Sequence, residues 1–205
     1  MNSVMQAYQE RLLARKQKRA ELEKVEEQKQ KAARFCGDFN DEDSGLTTFD
    51  RLIGFTKLFE IHPQVRGHYI VHRPGCAMKK PRIDRVLVPK PAAVSRGFDR
   101  VVGIEGKCSG DKVGPAITQC IDYSYAVFNV GIYRLSLGVI FLWPMEVQYG
   151  SIASIMAQNR IGTATLSDCG HDIKLQYASK NVLQITSRGV EIRPFTNAGN
   201  RQGSR

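Results

Sequence analysis

The sequence predicts an α/β fold, with a central mixed β-sheet flanked by helices and a long charged N-terminal helix in front of it. Short apolar runs of strand length alternate with segments whose apolar residues recur at helical spacing. One run, "LGVIFLWP" at 137–144, is apolar on both faces, as expected of a strand buried in the middle of a sheet. Residues 5–34 contain no Gly or Pro and are rich in strong helix formers.

Changes in composition and the positions of turn-forming residues divide the chain into four segments. Residues 1–34 are expected to form a charged helical extension, and 35–47 an acidic linker that contains "GDFNDEDSG". Residues 48–194 are predicted to form the α/β domain, and 195–205 a flexible tail.

The first half of the domain is predicted to be one helix followed by three strands. "TTFDRLIGFTKLFEIHP" (47–63) has helical periodicity, and Pro63 is expected to end the helix. Strands are predicted at "HYIVHR" (68–73), "RIDRVLVP" (82–89) and "RVVGIEGK" (100–107).

The second half begins with "GPAITQCIDYSYAVFNV" (114–130), predicted to be a helix because Pro115 suits a first turn and apolar residues follow at three to four spacing. The strand at 137–144 comes next, and then "GSIASIMAQNRIG" (150–162), a helix. Residues 163–194 are predicted to form short strands joined by turns.

The charge of the chain favours a polyanionic partner. The net charge is +10, of which residues 66–112 carry +7, whereas residues 35–65 carry −4. A concentrated basic surface binds nucleic acid through phosphate contacts and counterion release. No apolar run reaches the roughly 18 residues of a membrane span, so no membrane partner is expected. The five cysteines form no CxxC pair, as expected of free thiols in a reducing cytoplasm.

Three charged side chains cluster in the strands at the centre of the domain. Glu105 and Lys107 are two residues apart, so on a strand they point to the same face. Asp84 lies in the preceding predicted strand. Two carboxylates that converge at neighbouring strand ends are hard oxygen ligands suited to Mg²⁺ or Mn²⁺.

This arrangement resembles the PD-(D/E)XK nuclease superfamily. Asp84, then Glu105-Gly106-Lys107, then a helix with Gln119 and Tyr123 follow that superfamily's order over roughly residues 48–143, although Ile83 stands where a Pro precedes the Asp in the family pattern. The resemblance implies a restriction-endonuclease-like core and a metal-dependent nuclease, most readily acting on DNA.

The resemblance also assigns roles. It implies that Asp84, Glu105 and the carbonyl of Gly106 hold Mg²⁺ or Mn²⁺ and that Lys107 assists the attacking water. Gln119 and Tyr123 would support the site or guide the nucleic-acid strand. Basic loops at 66–82 and 90–100 are expected to grip its backbone.

Several alternatives stay open at this stage. Glu60, on the first predicted helix, is a candidate for a third acid of the site. The equal alternative is that it is an ordinary solvated residue at the end of a helix. Asp99 would lie about 20 Å along the strand from Glu105, too far to share an ion. A non-catalytic nucleic-acid-binding or assembly subunit with the same fold is the alternative function. The N-terminal helix would then recruit a protein partner or a second copy. The expected location is the cytoplasm of a bacterial or phage-infected cell.

Overall fold

The structure is a computed structural model that describes residues 33–35, 39, 41–70, 80–109, 111–147, 151–167 and 170–195. The helix predicted over 5–34 lies outside these ranges except for Ala33 and Arg34, which belong to a strand instead. Residues 196–205 of the predicted tail also lie outside them.

The described chain is an α/β protein dominated by one large mixed sheet. Its helices are α1 (Glu42–Phe55), α2 (Pro91–Val94), α3 (Val113–Tyr123) and α4 (Ser151–Gln158). Its strands are β1 (Ala33–Phe35), β2 (Phe59–Tyr69), β3 (Arg82–Pro89), β4 (Val102–Gly106), β5 (Ala126–Val130), β6 (Tyr133–Ser136), β7 (Val139–Trp143), β8 (Met145–Val147), β9 (Ile161–Leu166), β10 (Ile173–Tyr177), β11 (Lys180–Thr186) and β12 (Gly189–Ile192).

Ten of the strands form the sheet in the order β12-β11-β10-β9-β7-β4-β3-β2-β5-β6. The pairs β4–β7 and β7–β9 are parallel, and the neighbours on both sides are antiparallel. All five residues of β4 and all five of β7 are buried, as expected of strands in the middle of a sheet, and Glu105 is the one charged residue among them. The remaining strands, β1 and β8, pair with each other.

The sheet separates two apolar clusters. Helices α1 and α2 pack on one face around Phe49, Phe141 and Trp143. Helices α3 and α4 pack on the other face around Val86, Phe128 and Leu142. The two ends of β4 therefore lie between layers of helix, and a polar group there is removed from water.

Helix α1 begins and ends earlier than predicted. It begins inside the predicted acidic linker because Asp41 caps it, with the Asp41 Oδ1 accepting from the Ser44 N–H at 2.7 Å. It ends at Phe55, and Lys57 has a left-handed φ of 55° that turns the chain. The prediction that the helix continues to Pro63 was wrong, since Pro63 lies within β2.

The helix predicted over 114–130 was also too long. Helix α3 ends at Tyr123, and the turn at Ser124 and Tyr125 leads into β5. The alternating burial of "AVFNV" is the period of a strand rather than of a helix.

The C-terminal strands complete the sheet. Short strands were predicted over 163–194, and strands β9 to β12 form there and continue the sheet on the side of β7. Phe195, assigned to the flexible tail, packs edge-on against Phe98 with ring centroids 4.9 Å apart. Within the described ranges, no helix has both the length and the apolar character needed to span a membrane.

Candidate active site

The structure brings Asp84 and Glu105 together in one row across three strands. The pairs Pro63–Arg85 and Val65–Ile83 place Gln64 opposite Asp84. The ladder between β3 and β4 ends at the pair Arg85–Ile104, and the same register, continued by one residue, puts Asp84 opposite Glu105. The row Gln64, Asp84, Glu105 therefore lies where β3 and β4 cease to pair.

The Asp84 carboxylate takes the place of the missing ladder bonds. Its Oδ2 accepts from the backbone N–H of Gly106 at 2.8 Å, and its Oδ1 accepts from the Gln64 side-chain amide at 3.2 Å. Asp84 is only 6% exposed. These donors stabilise the buried carboxylate and fix its orientation.

Gln64 reaches Asp84 because its backbone is left-handed, with φ of 50°. The buried side of β2 changes at this residue. Phe59 packs in the cluster beneath α1, whereas Val65 packs in the cluster beneath α3. A left-handed φ is costly for a residue other than Gly, and such strain concentrates at functional sites. Sequence reasoning missed Gln64, and an isolated Gln in a strand carries no signal of this kind.

Glu105 is the most strongly perturbed acid of the site. It is 3% exposed, and its Oε1 accepts from the Lys107 ammonium at 2.7 Å. Its Oε2 makes no hydrogen bond within the part of the chain that the structure describes. Burial, and then the charge of Asp84, raise the pKa of Glu105 to about 8 despite the lysine.

Lys107 lies at the end of β4 on the same face as Glu105. Its backbone N–H donates to the Trp143 carbonyl at 2.7 Å, which holds the residue beside β7. Burial alone would lower the pKa of Lys107, but the charge of Glu105 and the hydrogen bond to it outweigh burial, so the pKa is raised. The lysine therefore stays protonated and neutralises one carboxylate of the site.

A third acid, Glu42, approaches from the first turn of α1. Burial and the charge of Asp84 raise the pKa of Glu42, and a side-chain hydrogen bond to Asp84 adds to the rise. Sequence reasoning missed Glu42 because its segment was assigned to a linker. The signal was present in the sequence. Asp41 is followed by two acids and then by an apolar run, which is the signature of a helix N-terminus.

Glu60, the acid considered for that place, lies elsewhere. It is on β2 opposite Val88, about 13 Å along β3 from Asp84. Its side chain is 63% exposed and its Oε1 lies 3.1 Å from Nε2 of His62, at angles that do not make a hydrogen bond. Asp99 is exposed before β4 begins, at the end of the strand away from Glu105.

Gly106 allows α1 to pack directly on the site. A Cβ at this position would lie 3.0 Å from Cγ of Glu42 and 3.0 Å from Cγ of Leu46. A side chain here would push α1, and Glu42 with it, away from the strand ends. The glycine thus places its own backbone, rather than a side chain, between the acids.

Gln119 and Tyr123 anchor α3 to the strand that carries Asp84. The Tyr123 hydroxyl accepts from the Gln119 amide at 2.7 Å and donates to the Arg82 carbonyl at 2.6 Å. Burial raises the pKa of Tyr123 well above its ordinary value. Both residues also line an open groove with Tyr69, Gly114 and Thr118. Their predicted role in guiding nucleic acid stays a prediction.

The donor set fits a hard divalent cation. Two buried carboxyl groups, a third beside them and an unpaired Oε2 on Glu105 offer more oxygen atoms than one lysine occupies. Oxygen ligands of this type suit Mg²⁺ or Mn²⁺. Among the described residues, no three His, Cys, Asp or Glu side chains have the spacing of a formed metal site.

The comparisons with family models, curated proteins and solved structures find no match for this chain.

Substitutions at Gln64 are expected to separate the backbone constraint from the side-chain contact. Gln64→Gly should unfold at nearly the wild-type denaturant concentration, since glycine accepts the left-handed φ and offsets the lost hydrogen bond. Gln64→Val should be less stable than Gln64→Gly by about 1–2 kcal/mol. Urea unfolding followed by circular dichroism measures both, and equal stability of the two variants would contradict the left-handed conformation.

The pKa of Glu105 predicts how stability depends on pH. Folded Glu105 keeps its proton to about pH 8, whereas the unfolded chain releases it near 4.5. The free energy of unfolding of the metal-free protein should therefore fall as the pH rises from 4.5 to about 8. Urea unfolding in EDTA at a series of pH values should show a flatter dependence for Glu105→Gln. Glu60→Gln, at an exposed carboxylate, is the control and should parallel wild type.

Proposed function

We propose that this protein is a metal-dependent nuclease that hydrolyses phosphodiester bonds, most readily in DNA. The observation that carries the proposal is the pair of buried carboxylates, Asp84 and Glu105, beside a protonated lysine at the ends of adjacent strands. Structural ion pairs seldom leave a buried carboxylate oxygen without a donor, as Glu105 Oε2 is left here. Perturbed acids of this kind concentrate at catalytic sites.

The order of elements around the site supports the same proposal. Helix α1 is followed by β2, β3, β4, α3 and β7, with the hairpin β5–β6 inserted before β7. Apart from that hairpin and the short α2, this is the helix, three strands, helix and strand that the resemblance to the PD-(D/E)XK superfamily implies. A restriction-endonuclease-like core is part of the proposal.

Each residue of the site has a role in the proposed mechanism. Asp84, Glu105 and the Gly106 carbonyl would hold Mg²⁺ or Mn²⁺, with Glu42 as a further carboxylate. When bound, the ion supplies Lewis-acid activation of water and stabilises charge on the phosphoryl oxygens. Gln64 orients Asp84, and Lys107 orients the water or offsets the charge that grows at phosphorus. Gln119 and Tyr123 hold α3 against β3.

A non-catalytic nucleic-acid-binding or assembly subunit is the second candidate. The observation in its favour is the contact between Lys107 and Glu105, since an ion pair at 2.7 Å is also a stable structural element. In that case the charged N-terminal segment would recruit a protein partner or a second copy, and the basic surface would bind nucleic acid without cutting it.

Cleavage assays with the full chain are expected to distinguish these candidates. Circular and linear DNA, single- and double-stranded, would be incubated with Mg²⁺, with Mn²⁺ and with EDTA. We expect cutting with either ion and none with EDTA, and cutting of circles would identify an endonuclease. Asp84→Asn, Glu105→Gln and Lys107→Met should each reduce the rate by at least about a hundredfold.

Glu42 has a matched control on the same helical turn. Glu42→Gln should slow cleavage, most at low metal concentration, whereas Asp43→Asn, at the exposed neighbouring acid, should leave the rate unchanged. Circular dichroism would verify that each variant folds. Binding of DNA by wild type without cleavage under any of these conditions would contradict the nuclease and favour the second candidate.

A further inference from the structure

Two arginines face each other across β2 and β3, two residues along each strand from Gln64 and Asp84. Arg66 on β2 pairs with Arg82 on β3, and both side chains are exposed. Residues that pair directly across antiparallel strands have their Cβ atoms about 5 Å apart and point to the same face. Continued onto β4, the same row reaches Lys107. The acidic row is thus followed by a basic one.

This pairing of like charges is unfavourable in the free protein. Like charges directly opposite each other destabilise a sheet. Within the described ranges, neither guanidinium forms an ion pair with an acid. An anion bound between the two arginines would remove the repulsion.

The pair is held at a fixed distance from the candidate active site. Arg82 is two residues along β3 from Asp84, or about 7 Å. Its carbonyl accepts from the Tyr123 hydroxyl at 2.6 Å, which ties this end of β3 to α3. The separation of about 7 Å between Arg82 and Asp84 corresponds to one nucleotide step along an extended nucleic-acid backbone. Arginine guanidinium groups also match the geometry of phosphate oxygens.

We propose that Arg66 and Arg82 bind the backbone phosphate next to the scissile phosphate of a polynucleotide. This inference rests on the proposed function for the identity of the scissile position. It concerns binding, however, and is measured without cleavage. The ligand is a phosphodiester within a strand, rather than a free nucleotide.

The test is binding of a fluorescein-labelled DNA duplex and of a labelled single strand to the full chain, by anisotropy. Titrations in EDTA and in Ca²⁺, over a range of salt concentrations, would compare wild type with Arg66→Gln, Arg82→Gln and the double variant. The control is Arg188→Gln, an exposed arginine in the turn between β11 and β12, which are five and six strands from β3 in the sheet. Mononucleotide would be added as a competitor.

We expect each single variant to bind about tenfold more weakly. The double variant should make the slope of log K against log salt shallower by about one, since the pair holds one phosphate. Each single variant should also melt at a higher temperature than wild type in the absence of DNA, because the repulsion is gone. Arg188→Gln should change neither affinity nor melting temperature by these amounts.

Several results would overturn the inference. One is wild-type affinity in the double variant; another is no binding of either DNA by wild type. Displacement of the labelled DNA by mononucleotide at a concentration similar to that at which the DNA itself saturates the protein would show a free-nucleotide site instead. The outcome is independent of cleavage. Loss of binding in the arginine variants supports the phosphate site even if no metal permits cutting. If the arginine variants bind DNA as wild type does and still cut it, the phosphate site is contradicted while the proposed nuclease activity is supported.

Discussion

The carboxylate of Asp84 on β3 joins the neighbouring strands β2 and β4, and the geometry of the site depends on it. One oxygen accepts from the amide of Gln64 on β2 and the other from the backbone N–H of Gly106 on β4. Where β3 and β4 stop pairing, this side chain takes the place of a backbone hydrogen bond. Without it, the buried N–H of Gly106 would have no partner. The same contacts orient the acid and open the gap in which Glu105 and Lys107 lie.

The site holds more buried acid groups than its one lysine can pair. Three carboxyl groups lie near one ammonium, and burial, followed by the charge of Asp84, raises the pKa values of Glu42 and Glu105. Burying charge without full compensation costs stability, so a sequence that only had to fold would be served better by apolar residues here. The packing of α1 on Gly106 and the left-handed Gln64 are further local costs at the same place. Concentration of such costs at one point is typical of a functional site.

Much of this arrangement could be predicted from local sequence patterns. The strand at 82–89 and the buried strand that ends just before Lys107 are short apolar runs bounded by turns, and Asp84 and Glu105 lie together as expected. Glu42 was missed because an acidic, Gly-containing stretch is typical of linkers as well as of helix N-termini. Gln64 could not be predicted, since its role depends on a left-handed backbone and on cross-strand register. Both arise from tertiary packing, which also ended α1 and α3 earlier than propensity indicated.

Binding of Mn²⁺ to the metal-free full chain tests the central claim most directly. Titration followed by electron paramagnetic resonance would compare wild type with Asp84→Asn, Glu105→Gln and Lys107→Met, and with Glu60→Gln as the control. The account predicts a site in wild type that is lost in the first two variants. It also predicts a site that is at least as tight in Lys107→Met, since that change frees Glu105 from its partner. Equal binding by wild type and Glu105→Gln, or no binding by wild type at millimolar Mn²⁺, would contradict it.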